Sequence, residues 1–424
     1  MASYMLSERA HSNLQKILDA HASEKVYDSD GNLTEAVIDG SFRSRYKTVR
    51  RHFQDYAIFT RLLPSMTLVS LVSVYDAFLR RMLRNLFLIK PDILNGCSRQ
   101  ITFAELTSFG SVDAARDYII ELEIDSLLRD SHSAQIAWLE SRLKIKLTDL
   151  PSWKYFIEIT ERRNLLVHAE GKVSKQYLDA CQKVGYEIDE KCALGTILDV
   201  DPEYYAKACD YIAEIAIKLN QVIWRKLLPK QLEEAEDSFV DTTFSLLTAG
   251  EYHLTELLLT FAQSAAFKKY NAESSLYLNI NLAISLKGQN KDDECKKLIR
   301  SIDCSALADK FKLASAVLLE DFEAAAALMK KIGPNDDLGK EQYKNWPLFH
   351  WFRKTDLFKE TYEAVYDEPF TANERISPED ILSEDFPPDT LAADETSAEK
   401  PGQRKSTDVE TEPVLSWETA NEED

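Results

Sequence analysis

Three residues in one short segment have the types and spacing to cut a phosphodiester. In the run Phe156-Ile157-Glu158-Ile159-Thr160-Glu161-Arg162-Arg163-Asn164-Leu165-Leu166-Val167-His168-Ala169-Glu170-Gly171, the pair Arg163-Asn164 is followed by His168. Histidine is the side chain type whose ordinary ionisation lies nearest neutrality, which suits it to take the proton from a 2'-hydroxyl or to give one to a leaving oxygen. Arginine stays charged and offers a planar fork of donors to the scissile phosphate as charge grows on its oxygens. An asparagine beside them orients the imidazole or the phosphate by hydrogen bonding. RNA supplies its own nucleophile in such a reaction. The expected products are therefore a 2',3'-cyclic phosphate and a 5'-hydroxyl, no cofactor or metal is required, and DNA should resist.

The elements around this segment must do the positioning. Residues five apart on a helix lie about 140° round its axis and residues four apart about 40°. Asn164 and His168 therefore share a face, Arg163 lies to the side, and one helix cannot aim all three at a point. An isologous partner can, because a two-fold axis places the same residues of both chains around one groove. Pro151-Ser152-Trp153 opens this helix, with Ser152 as N-cap and Trp153, Phe156 and Ile157 starting its apolar face, and Gly171 supplies the stop. An earlier helix, from about Met66 to Ile89, carries the stripe Val69, Val72, Asp76, Leu79, Leu83, Leu86, which puts one carboxylate in the middle of an apolar face. Asp76 needs a partner: Arg163 or His168 across a bundle, or Arg80 four residues on. Arg162 and Lys172 are candidates to contact RNA backbone, against the plain reading of each as a surface charge, and Glu170 reads as a solvated loop residue.

The segment resembles the motif of the HEPN superfamily: an arginine and a following polar residue, then a histidine after a short spacer, late in a helix. Tyr75-Asp76-Ala77-Phe78-Leu79, Leu150-Pro151-Ser152-Trp153 and Gly171-Lys172-Val173-Ser174 with Tyr177-Leu178 are also similar to HEPN proteins of bacterial defence and toxin type, so the resemblance spans roughly residues 40 to 230. It implies a metal-independent endoribonuclease that works as a homodimer, with both motif copies facing one cleft.

Composition sets the class. With 12 glycines and 13 prolines in 424 residues and abundant Leu, Ala, Glu and Lys, the chain reads as all-α. The expected architecture is a HEPN-like helical bundle over residues 1–230, a short TPR-like helical-repeat domain over 231–370 and a disordered acidic tail over 371–424. Residues 1–60 read as two helices either side of the polar turn Asp28-Ser29-Asp30-Gly31-Asn32, the second ending before Pro64. Ser174 is placed as the cap of the helix after the motif, and Asp201-Pro202-Glu203 as the start of a long one that runs through Trp224. In the second half, turns at Gly250, Gly288, Glu320 and Thr355 recur at 38, 32 and 35 residues, the interval of stacked helix pairs, although the aromatic and glycine landmarks of the tetratricopeptide consensus are missing. From Thr371 on there are 16 acidic and 4 basic residues, so most of the formal charge of -20 belongs to the tail and a local basic cleft for RNA is not excluded.

Several classes lose support. The six cysteines form neither a C-x-x-C pair nor a disulfide framework, and the N-terminus has no apolar signal-peptide core, which points to a cytoplasmic chain. The longest uncharged apolar stretch, Leu62 to Tyr75, is too short to span a bilayer and reads as a buried helix. No phosphate-binding loop, zinc-protease motif or nucleophile elbow occurs, and the other histidines, His132 among them, read as isolated helix residues. The expectation is an RNA-cleaving toxin or antiviral effector whose helical repeats hold a regulatory protein. The alternative is a non-catalytic scaffold that dimerises or binds RNA and recruits a partner.

Overall fold

The computed structural model describes residues 22–27, 33–38, 43–96, 101–189, 192–264, 267, 272–303, 307–334 and 338–371. The acidic tail beyond residue 371 and the turn at 28–32 lie outside the described residues. What is described is predominantly helical, and the departure from an all-α chain comes at its start. Ala22–Tyr27 (β1) and Leu33–Ile38 (β2) pair as an antiparallel hairpin where two helices are expected. The reason is visible in the residue types: Val26, Tyr27, Thr34, Val37 and Ile38 are β-branched or aromatic and flank a turn-forming run.

Arg43–Ile89 (α1) is a single helix of 47 residues that runs through Pro64 rather than breaking there. An interior proline removes one backbone hydrogen bond and costs about 3 kcal/mol, which the turns on both sides outweigh. Thr67 returns a side-chain hydrogen bond to the Pro64 carbonyl at 2.9 Å.

Phe103–Ser108 (α2), Val112–Arg129 (α3), His132–Leu143 (α4), Trp153–His168 (α5), Lys175–Lys183 (α6) and Pro202–Leu227 (α7) complete the first half. Their apolar stripes meet in one core, where Val72, Leu79 and Leu83 of α1 pack with Ile124 of α3, Ile136 of α4, Phe156 of α5 and Leu219 of α7. Each such side chain contributes about 1.5–3 kcal/mol on burial. Caps fix the helix starts: the Ser131 side chain accepts from the Ala134 amide, Ser174 from Tyr177, and Asp201 from Tyr204.

The second half is a run of helix hairpins: Leu232–Ala249 (α8) with Tyr252–Ala262 (α9), Ala272–Gly288 (α10) with Asp292–Arg300 (α11), and Asp309–Leu318 (α12) with Phe322–Ile332 (α13). Three of the tight turns share one geometry. Gly250, Asn290 and Glu320 take left-handed φ values of 85°, 60° and 65°, and the next amide in each case reaches back five residues, Glu251 to Leu246, Lys291 to Leu286 and Asp321 to Ala316. The second turn, expected near Gly288, follows the helix end there and centres on Asn290. Gly288 is needed for another reason: a Cβ there would lie 2.5 Å from the Tyr252 ring of the preceding hairpin. Ion pairs tie neighbouring hairpins together, Lys291 to Glu256 at 2.6 Å and Lys287 to Glu320 at 2.7 Å. Lys340–Asn345 (α14), two 3₁₀ turns and Asp356–Tyr366 (α15) close the series around a dense aromatic cluster.

Candidate functional site

The motif helix α5 is anchored by Trp153, Phe156, Ile157 and Ile159, all buried. Ser152 holds the N-cap position, but its hydroxyl makes no capping bond and is buried without a partner. The C-terminal end is fixed more firmly. The amides of Ala169 and Gly171 both donate to the Leu165 carbonyl, at 2.8 and 3.0 Å, as Glu170 and Gly171 turn through φ values of 54° and 75°. A side chain on Gly171 would meet that left-handed φ and the Leu198 carbonyl at 3.4 Å, so glycine is the residue that fits. The Leu198 amide then donates to Gly171 O at 2.9 Å and Val173 to Thr196 O at 2.8 Å, which straps residues 195–198 across the helix end.

His168 is the last residue of α5, exposed at the rim of this rigid turn, and no hydrogen bond or ion pair holds it among the described residues. Arg163 faces the other way, into the bundle. Its Nη2 donates to Asp76 Oδ2 of α1 at 2.7 Å, with the two side chains 20% and 30% exposed. Asn164 Oδ1 accepts from Arg163 Nη1 at 3.2 Å, so Asn164 is engaged by the arginine rather than by His168. Arg163 Nε is buried and without a partner. Of the residues named by the motif, the fold brings together Arg163, Asn164 and Asp76 and leaves His168 apart from them. Arg80, the other partner available to Asp76, is taken up by Glu121 and Asp125 of α3.

One member of this cluster is missed by sequence reasoning. His132, the first residue of α4, is buried, and its Nε2 lies 2.9 Å from Asp76 Oδ1. An ionised carboxylate only accepts, so Nε2 carries the proton and donates. A signal was there to be read: His132 continues the stripe Ile136, Leu139, Leu143 at helical steps, as Asp76 interrupts its own apolar stripe on α1. Two polar residues standing on apolar stripes are candidates to satisfy one another.

Arg162 is not presented to solvent as an RNA contact. Its Nε donates to Glu158 Oε1 at 2.7 Å, its Nη1 to the Asp199 carbonyl at 3.0 Å, and its guanidinium lies 3.9 Å over the Tyr204 ring. Tyr177 and Tyr204 also donate to Glu158, at 2.8 and 2.7 Å. Burial works against the charge of Arg162, but Glu158 outweighs it and holds the guanidinium more firmly protonated than usual. Burial, with Glu158 adding to it, pushes both phenols well above their ordinary range. The neighbouring Cys181 thiol is pushed up to about 12 by burial and then by Glu158, which leaves it unreactive. Lys172 is a surface residue paired with exposed Glu170 at 2.8 Å.

Beside the end of α5 lies an open groove of about 520 Å³ whose walls include Leu62, Met66 and Val69 of α1, Leu166 of α5, and Ile197. Its apolar rim is unusually bare, with Leu62 51%, Met66 63% and Ile197 53% exposed, and Ile58, Val74 and Val167 are exposed as well. α1 is therefore half-buried rather than buried. By length and composition Leu62–Ile89 is apolar enough to cross a membrane, yet it carries Asp76, Arg80 and Arg84 in ion pairs with the bundle. Among the described residues no group of three His, Cys, Asp or Glu side chains is placed to hold a metal ion. Compared with family models, curated proteins and solved structures, the chain matches none.

Proposed function

We propose that the chain is a metal-independent endoribonuclease of HEPN type that acts as a homodimer. In this reading His168 moves the 2'-hydroxyl proton and Arg163 neutralises the phosphate, giving a 2',3'-cyclic end. The observation that carries the reading is the contrast between the two side chains: an imidazole held at a rigid, exposed helix end, and a guanidinium set into the bundle by Asp76 with a donor still unpartnered. Within one chain they point apart. The bare apolar groove beside the end of α5 gives a second copy a surface on which to bring its own motif helix. The resemblance supplies the cellular role, a toxin or antiviral effector, and the stacked hairpins, TPR-like in their spacing, supply a surface for a regulatory protein. The test is purified protein with end-labelled RNA and DNA in EDTA. Cleavage of RNA alone, lost in His168→Ala, is expected; cleavage that survives in His168→Ala removes that residue from the mechanism.

One observation favours a second reading. The Arg163–Asp76 pair neutralises the motif cation inside the protomer, which suits a non-catalytic scaffold that binds RNA or a partner. Binding without cleavage, unchanged in Arg163→Ala, is the result that selects it.

A further inference from the structure

The Asp76 carboxylate is shared. Arg163 takes Oδ2 and His132 takes Oδ1, so three helices, α1, α4 and α5, each contribute one member of a linear array His132–Asp76–Arg163. Asp76 is 30% exposed, and a carboxylate at that depth held by one donor alone is free to rotate toward water. The second donor removes that freedom. His132 is itself fixed, because its ring lies 5.9 Å from Phe156 edge-on and 6.0 Å from Tyr75. Those two rings sit on the helices that carry the other members: Tyr75 precedes Asp76 on α1, and Phe156 lies seven residues, close to two turns, before Arg163 on the same face of α5.

We infer that His132 is a positioning residue for Arg163, acting through Asp76. A lone Arg–Asp pair fixes where the guanidinium is but not how the carboxylate plane turns, and bidentate recognition of a phosphate depends on the plane of the fork. His132 sets that plane by holding the far oxygen of Asp76. The role rests on the ribonuclease reading only for its consequence in catalysis; the positioning is a property of the folded chain and is measurable without substrate.

The experiment therefore has two readouts on the full-length protein. The first is the rate at which phenylglyoxal modifies Arg163, followed by peptide mass spectrometry in wild type, Asp76→Asn, His132→Phe and His132→Gln. Phe keeps the ring packing against Tyr75 and Phe156 but cannot donate, whereas Gln restores a donor of similar reach. Modification of Arg163 should rise several-fold in Asp76→Asn and in His132→Phe and return toward wild type in His132→Gln. If the phenylalanine variant does not fold, His132→Asn, too short to reach, should show the same rise. The second readout is RNA cleavage, where His132→Phe should lower kcat on the order of 100-fold with KM little changed, again rescued by Gln. An Arg163 reactivity unchanged in His132→Phe while it rises in Asp76→Asn overturns the inference. Absence of cleavage in every protein, with the reactivity pattern intact, sinks the ribonuclease reading and leaves the positioning of Arg163 standing.

Discussion

Arg162 and Arg163 are neighbours in sequence and each pairs with a carboxylate, yet they sit in opposite environments. Arg162 is 11% exposed and its partner Glu158 is 1% exposed, with two phenols and a backbone carbonyl completing the cluster. Arg163 is 20% exposed, its partner 30%, and one of its donors has no acceptor. The 100° between successive residues on a helix is enough to put one arginine among α5, α6 and α7 and the other against Asp76 of α1. The first cluster is closed on itself and serves the fold. The second is partly open to water at Arg163 and Asp76 and leaves the buried Arg163 Nε without an acceptor, so it is the less completely satisfied of the two.

The largest effect that would break this comparison is on stability. Glu158→Gln leaves Arg162 buried without a counter-charge, a loss of about 3–5 kcal/mol in urea unfolding. Asp76→Asn, in a pair that water reaches, should cost only about 1 kcal/mol. Equal losses at the two sites would mean that both clusters are structural. The next effect concerns the open side. In the proposed dimer, Met66→Asp and Ile197→Asp each place a charge in the apolar groove and should weaken association by about 2 kcal/mol, roughly 30-fold in Kd, with cleavage falling in parallel. Sedimentation of wild type and both variants at matched concentrations checks this. A wild type that stays monomeric at every concentration removes the groove as a self-association surface.

How much of this was legible beforehand depends on what each signal encodes. The caps at Ser174 and Asp201 and the start of α7 at Pro202 are local chemistry, written in the residues that perform them, and the structure has them there. The interruption of the α1 stripe by Asp76 was equally plain, because a carboxylate on an apolar face demands a partner. The pairing of Ala22–Tyr27 with Leu33–Ile38 and the continuity of α1 through Pro64 were not legible. Strand pairing depends on a cross-strand neighbour rather than on a helical period, and a proline that usually ends a helix is overridden when both flanks are strongly helical. His132 escaped for a third reason. Its role exists only between helices, and it shows in sequence only when two separate stripes are compared.

Alkaline pH sharpens the contrast by acting on the closed cluster. Tyr177 and Tyr204 hold their protons more tightly in the folded chain than at the ordinary tyrosine value of 10.0. Stability is therefore flat below that value and falls as pH rises above it, by about 1.4 kcal/mol per pH unit for each phenol, until the folded protein itself releases the proton. Urea midpoints from pH 8 to 11 measure the slope. The slope should persist in Glu158→Gln over this range, because burial, the larger cause, still holds both phenols above their ordinary value.

The smallest expected effect is at Lys172, beyond the open end of α5. Its pair with Glu170 is exposed on both sides and screened by water, so Lys172→Ala should leave the urea midpoint unchanged. Under the ribonuclease reading, Lys172, just past His168 and the end of α5, meets a phosphate flanking the bond to be cut. The variant should then bind RNA about 2- to 5-fold more weakly, and the slope of log affinity against log salt should fall by about one. A slope that does not change would assign Lys172 to the solvated surface, with RNA reaching the motif from the side of the groove instead.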